Sequence, residues 1–180
     1  IVVLDEAYRE FVDRPEFPDG ITMLARHPNL VVFRTFSKMY ALAGLRVGYL
    51  AGSREVVDIV RRTCVVYSVN VLAQEAALAA LADDAGHLAA TRALVAREKA
   101  YLLEELGAMG LKVQHGEGCF LMIRLPMSDT MAYRRLMQKG VMIRSMTGFR
   151  FPNWIRVSIG SHLAMEAFIA ALRGILSGRS

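Results

Sequence analysis

The sequence predicts an α/β chain in two parts: a piece of a large, mostly parallel sheet domain with a connecting helix over residues 1–107, then a small α+β domain over residues 108–180. Three observations predict it. Continuous apolar runs at 1–4 and 30–36 have the pattern of strands buried on both faces of a parallel sheet. Residues 87–106 repeat apolar side chains at helical spacing with Arg97 and Lys99 on the wet face. After Gly110, short strand-like runs alternate with helical ones.

The elements follow in order. The first strand ends at Asp5, and residues 9–28 carry Pro15, Pro18, Gly20 and Pro28, with a short helix over 22–26. The strand at 30–36 is followed by a loop at 37–44. A third strand covers 46–51 and closes on Gly52. Ser53 then caps a helix running to about residue 66. Alanine and leucine at helical spacing predict another helix over 71–82. Gly107 and Gly110 end the long helix. Strands at 111–113, 120–125, 141–145 and 155–159 and helices at 130–138 and 163–176 make the small domain, its helices on one sheet face.

Apolar residues at 54% and charged residues at 22% place the chain among globular proteins rather than disordered ones. No apolar run reaches the roughly 18–20 residues that a membrane span needs, so no membrane partner is expected. The net charge of +5 is spread along the chain, with Arg61, Arg62, Arg134, Arg135 and Lys139 on solvated helix faces. Nucleic acid would need a clustered basic stripe with interleaved aromatics, which leaves anionic small molecules as partners. Cys64 and Cys119 form no disulfide framework or metal spacing, and a reduced, cytoplasmic setting follows. His27, His87, His115 and His162 have no partners at metal or triad spacing and are expected on surfaces or in caps. The chain opens at Ile1 inside a strand-like run, which predicts that a further segment precedes it and completes any shared site.

Chemistry concentrates where strands meet loops. Asp5 stands at the carboxyl end of a strand, the edge where open α/β sheets bind ligands. A carboxylate in poor solvent there needs a cationic partner such as a pyridinium nitrogen, and Tyr8 is within reach of the same ligand. Alternatively, Asp5 caps the following turn and Tyr8 is packing. Lys38 follows the end of the second strand, so its amine projects from the same edge; partial desolvation there would make it nucleophilic. Thr35 and Ser37 supply hydroxyls, and Arg46, at the start of the next strand, offers a fork that matches phosphate. A phosphate held by two hydroxyls and an arginine, with an amine near an aldehyde, describes a pyridoxal 5'-phosphate (PLP) site. In the second part, Arg156 alternates against Ile155 and Val157 and suits the clamping of an α-carboxylate; Arg144, before the loop at 145–152, is its rival for that carboxylate.

The run Thr35-Phe36-Ser37-Lys38 with Leu42-Ala43-Gly44-Leu45-Arg46-Val47-Gly48-Tyr49, and Asp5-Glu6-Ala7-Tyr8 upstream, resembles the fold-type-I PLP aminotransferases, the histidinol-phosphate aminotransferases in particular. The resemblance covers essentially the whole chain. It implies transfer of an amino group between histidinol phosphate, or a similar amino compound, and 2-oxoglutarate, by a cytoplasmic homodimer in histidine biosynthesis. Aromatic amino-acid transamination and phospho-amino-acid decarboxylation on the same fold are the alternatives. It also implies that Lys38 binds the cofactor's aldehyde and moves the substrate's α proton. Asp5 pairs with the ring nitrogen and Tyr8 bonds the ring oxygen. Thr35, Ser37 and Arg46 hold the phosphate, and Arg156 holds a carboxylate. The part of the family that precedes this segment supplies a glycine-rich phosphate loop, a stacking aromatic and a residue crossing a dimer interface, so the segment alone is expected to bind PLP poorly. Departures from the family pattern at Cys119, at Val66–Asn70 and at Ser161–Glu166 bear on the substrate rather than the cofactor motif.

Overall fold

The computed structural model describes residues 1–82 and 86–178, which fall into two compact units, Ile1–Thr91 and Arg92–Ser180. Each contains its own sheet.

In the first unit, β1 (Val2–Asp5), β2 (Leu30–Thr35) and β3 (Gly48–Gly52) form a sheet in sequence order. β1 and β2 are parallel, with Val2 opposite Leu30 and Asp5 opposite Phe33. β2 and β3 are antiparallel, with Val31 opposite Gly52 and Thr35 opposite Gly48. Within this chain the three-stranded sheet is therefore mixed, with one parallel and one antiparallel pairing. Between β2 and β3, residues 36–47 hold a loop and a 3-10 turn at Ala43–Leu45 rather than the helix that a parallel crossover usually carries. β1 was expected to be buried on both faces. Among the described residues it pairs only with β2, and Val2 and Val3 are 55% and 54% exposed. β2 meets the expectation better: Leu30, Val31 and Val32 are all buried.

Among the described residues, three α-helices belong wholly to this unit. α1 (Gly20–Met23) is capped by the Asp19 side chain, which accepts from the Ile21 N–H. α2 (Arg54–Thr63) starts at Ser53, whose Oγ accepts from the Val56 N–H. It stops three residues short of the expected end because Cys64 is extended and the β-branched pair Val65 and Val66 lies exposed. α3 (Val71–Ala82) begins where Asn70 Oδ1 accepts from the Ala73 N–H at 2.9 Å. Its Ala73 and Ala77 pack with Phe36 and Val47, and Tyr40, Leu42, Leu45 and Val69 surround that cluster. A core of small helix side chains against one buried ring thus backs the loop that bears Lys38.

The second unit takes most of α4 (Gly86–Ala108) and all of β4 (Lys112–His115), β5 (Phe120–Arg124), α5 (Asp129–Gln138), β6 (Arg144–Ser145), β7 (Trp154–Ser158) and α6 (His162–Leu176). The sheet order is β4-β5-β7-β6, and all pairs are antiparallel. Leu121, Ile123, Ile155 and Val157 point to one face and meet Leu102 and Leu106 of α4, Ala132 and Leu136 of α5, and Phe168 and Leu172 of α6. Alternation along β5 and β7 thus puts all three helices on one side. β6 is shorter than the strand expected over 141–145.

Candidate functional site

Lys38 is placed by what flanks it. Phe36 is 5% exposed and Met39 is fully buried, so the backbone is anchored on both sides of an exposed Lys38. His87 Nε2 also lies 2.9 Å from the Met39 carbonyl oxygen. The Lys38 Nζ sits 5.7 Å from the centre of the Tyr8 ring, which joins two predicted site residues that lie on different strand ends. The partial desolvation expected for this amine is not met in this chain. Asp5 is exposed as well, and its Oδ1 accepts from the Ala7 N–H at 3.0 Å. That is the turn-capping geometry considered above, and it occupies one lone-pair site of a carboxylate that has several.

Thr35, Ser37 and Arg46 line one groove, together with Phe33, Gly48 and Tyr49. Thr35 Oγ1 accepts from the Ser37 N–H at 3.0 Å, and Arg46 Nη1 donates to the Ala43 carbonyl at 2.8 Å and to Ser37 Oγ at 3.4 Å. Among the described residues no ion pair with a carboxylate is seen for Arg46. Arg46 does not begin β3 as expected. It ends a 3-10 turn at Ala43–Leu45 with φ 55, a left-handed conformation unfavourable for a residue with a Cβ. The strand begins two residues later at Gly48, where a Cβ would lie 2.7 Å from the Arg34 carbonyl oxygen. Gly48 is therefore required for the close approach of β3 to β2 beside Thr35.

Glu6 and Arg34, next to Asp5 and Thr35, were not foreseen. Glu6 is 7% exposed. Its Oε2 accepts from Arg34 Nε at 3.0 Å and Nη2 at 2.7 Å, and its Oε1 accepts from the Gly20 N–H at 2.8 Å. Arg34 Nη2 also reaches Asp19 Oδ1 at 2.7 Å. Burial works against the charge on Arg34, but hydrogen bonds to Glu6 and Tyr49 and the charge of Asp19 outweigh it and raise its pKa further. This network fastens β1, β2 and α1 together just behind the strand ends that carry Asp5 and Lys38. The signal was the adjacency of Glu6 and Arg34 to the two motifs.

In the second unit, Arg156 and Arg144 are not alternatives in space. β6 and β7 put them directly opposite each other, so both stand on the sheet face away from the helices. Arg156 lies over the Phe120 ring at 5.1 Å and Arg144 over the Phe149 ring at 5.4 Å. No ion pair with a carboxylate is seen for either among the described residues. Two facing cations without a counter-charge repel, and an anion between them relieves that.

Two further carboxylates are buried here. Asp129 is held well below the usual carboxylate range: burial opposes this, but hydrogen bonds from Ser145, Thr147 and Asn153 prevail. Glu98 accepts from His162 Nδ1 at 2.8 Å and from Arg97 Nε at 2.7 Å, and the bond from His162 is the main reason its pKa is lowered. His162 thus has a structural partner that its position in the sequence did not reveal. Among the described residues no cluster of His, Cys, Asp and Glu is arranged to hold a metal ion, and no helix is long and apolar enough to cross a membrane.

The chain belongs to the family described as aminotransferase class I and II, which matches residues 1–172. It is 42% identical over 177 residues to a histidinol-phosphate aminotransferase of Anaeromyxobacter sp. (strain Fw109-5), covering 98% of this chain and 48% of that protein. It is 43% identical, with the same coverage, to histidinol-phosphate aminotransferase 2 of Pseudomonas aeruginosa. The fold superposes with a TM-score of 0.85 and 28% identity on histidinol-phosphate aminotransferase from Sinorhizobium meliloti, solved in complex with pyridoxal-5'-phosphate, over 99% of this chain and 49% of that one. The chain spans about half the length of the curated relatives it matches.

Proposed function

We propose that the full-length protein carrying this chain is a PLP-dependent aminotransferase. It moves an amino group between histidinol phosphate, or a closely similar amino compound, and 2-oxoglutarate, in histidine biosynthesis. The observation that carries the reading is the placement of Lys38 at the end of β2, near the Tyr8 ring, with Thr35, Ser37 and Arg46 gathered in one groove on the same segment. The relatives support the substrate.

The residues present fit the cofactor. Arg46 and two hydroxyls suit a phosphate, and Asp5 retains acceptor capacity for a ring N–H beyond its bond to Ala7. When bound, PLP supplies an electron sink that weakens the bonds at the substrate's α carbon. Lys38 would hold the cofactor through its amine and, when that amine is free, would move the proton at the substrate's α carbon. Tyr8 would donate to the cofactor's ring hydroxyl oxygen. Thr35, Ser37 and Arg46 would hold its phosphate. Arg156 and Arg144 bind the phosphate of the amino donor or a carboxylate of glutamate from two sides. Residues 1–107 serve as part of the cofactor-binding domain with its connecting helix, and residues 108–180 as the small domain. The whole protein works as a homodimer in the cytoplasm.

The test uses the full-length protein. It is expected to turn yellow with PLP, and borohydride reduction followed by peptide mass spectrometry is expected to label Lys38. Lys38→Ala is expected to lose both signals. A full-length protein that stays colourless with added PLP would refute the reading. Product formation from histidinol phosphate should require 2-oxoglutarate; release of carbon dioxide from a phosphorylated amino acid, with no acceptor present, would indicate the decarboxylase instead.

A further inference from the structure

The segment between the two facing arginines is built around one carboxylate. Asp129, the first residue of α5, is 1% exposed. Its Oδ2 accepts from Ser145 Oγ at 2.5 Å and from the N–H groups of Met146 and Thr147, both at 2.9 Å. Its Oδ1 accepts from Thr147 Oγ1 at 2.7 Å and from the Asn153 N–H at 3.0 Å. All of these donors lie in residues 145–153. That stretch starts one residue after Arg144 and ends three before Arg156.

Backbone bonds also close this stretch: the Met146 N–H donates to the Trp154 carbonyl at 3.0 Å, the Phe151 N–H to the Met146 carbonyl at 3.2 Å and the Leu125 N–H to the Asn153 carbonyl at 2.8 Å, but among the described side chains Asp129 is the one that joins both ends of the stretch. β6 has two residues, and its pairing with β7 consists of Arg144 opposite Arg156 and Ser145 opposite Ile155. The first of these pairs sets two positive charges face to face, which opposes the pairing. The loop also holds Arg150 at φ 64 and Asn153 at φ 66. Left-handed residues with a Cβ persist where the surroundings over-determine them. An ionised carboxylate accepts at both oxygens and donates at neither, so it suits a nest made only of donors. Asp129 also lies at a helix N-terminus, where the helix dipole favours a negative charge.

We propose that Asp129 is a positioning residue for substrate recognition: by gathering the 145–153 loop it holds Arg144 opposite Arg156 against their mutual repulsion, and so shapes the pocket for the anionic group of the amino donor. The proposal rests on the reading of the two arginines as the substrate's anion site. Asp129 touches neither substrate nor cofactor in this role. Ser145 and Thr147 share it, because their hydroxyls fill the carboxylate from the loop side.

The experiment compares four forms of the full-length, PLP-loaded enzyme: wild type, Asp129→Asn, the double variant Arg144→Ala with Arg156→Ala, and the three changes combined. KM and kcat are measured with histidinol phosphate and with histidinol, which lacks the phosphate. Asp129→Asn turns an amide donor toward N–H donors. It is expected to raise KM for histidinol phosphate about ten-fold or more while kcat changes much less, and to leave histidinol little affected. The rise is expected to disappear in the arginine double-variant background, where no pair is left to position. An equal rise in both backgrounds, or for both donors, would overturn the proposal and assign Asp129 a merely structural role. No rise for Asp129→Asn, with a clear rise for the arginine variant, would overturn it and leave the arginine site standing. No rise for the arginine variant would remove the site itself and this proposal with it. If Asp129→Asn does not fold, Thr147→Val removes one hydroxyl donor at nearly constant volume and is expected to shift KM the same way by roughly two- to five-fold; an unchanged KM there counts against the proposal.

Discussion

The buried ion pair between Glu6 and Arg34 is expected to be among the most sensitive polar contacts of the first unit. The side chains of Arg34 and Glu6 are only 14% and 6% exposed. Glu6→Gln removes the charge but keeps an acceptor for the Gly20 N–H. Arg34 then keeps one partner, Asp19, at 2.7 Å, whose side chain is 33% exposed. Breaking a buried pair outright costs roughly 3–5 kcal/mol, and the surviving bond to Asp19 lowers this to about 2–3 kcal/mol. Arg34→Met in the same background removes the stranded cation, and the double variant is expected to recover part of the loss. Thermal melts of the full-length protein and its three variants complete the cycle. The coupling is expected to be about 1.5–3 kcal/mol, in the range of hydrogen bonds to charged groups. Additive single-variant losses, with coupling below about 0.5 kcal/mol, would refute the idea that this pair fastens β1 to β2.

Three other outcomes follow from the same geometry. Phe36→Ala empties the centre of the cluster behind Lys38 and is expected to destabilise by about 3–4 kcal/mol in melts, with a larger loss of PLP affinity than at a distant core site. Gly48→Ala would push a Cβ to 2.7 Å from the Arg34 carbonyl oxygen. It is expected to cost about 1–3 kcal/mol and to weaken PLP binding, read by titration of the absorbance, because Thr35 lies opposite it. The pKa of Asp129 is lower folded than unfolded, so its contribution is complete above the unfolded value near 4 and is lost as the pH falls below it. The melting temperature of wild type is therefore expected to drop toward that of Asp129→Asn in acid; a gap that stays constant down to about pH 2 would contradict this.

Local signals in the sequence were enough for the order of the elements and for the strand that ends before Lys38, but not for the bounds of α2, β3 and β6. An apolar run ending in Thr-Phe-Ser-Lys states where a strand stops and which amine comes next, and alternation around Ile155 and Val157 states which face Arg156 takes. Facts that depend on pairing were not legible. The opposition of Arg144 and Arg156 needs the register of β6 on β7, which two residues of strand do not announce. Glu6 and Arg34 are 28 residues apart, and Glu98 and His162 are 64 apart, so their ion pairs follow from the fold and not from spacing. The exposure of β1 and Asp5 was missed because a run such as Val2-Val3-Leu4 tells how a strand is best used, not whether this stretch of chain supplies its neighbours. The left-handed turn at Arg46 was missed because nothing about an arginine favours that backbone.

That turn has a consequence for selection. Ala41 and Arg46 both adopt positive φ around the loop, with φ 57 and 55. Glycine at position 41 relieves the backbone and surrenders only a methyl group. Glycine at position 46 relieves it too, but discards the guanidinium that the groove presents. With Arg46 in its proposed role, a screen for heat resistance is expected to accept both changes, whereas a screen for PLP binding by the full-length protein is expected to keep only the first. In the phosphate-holding role proposed for Arg46, the position would keep a residue that the backbone disfavours because the ligand, not folding, sets its occupant.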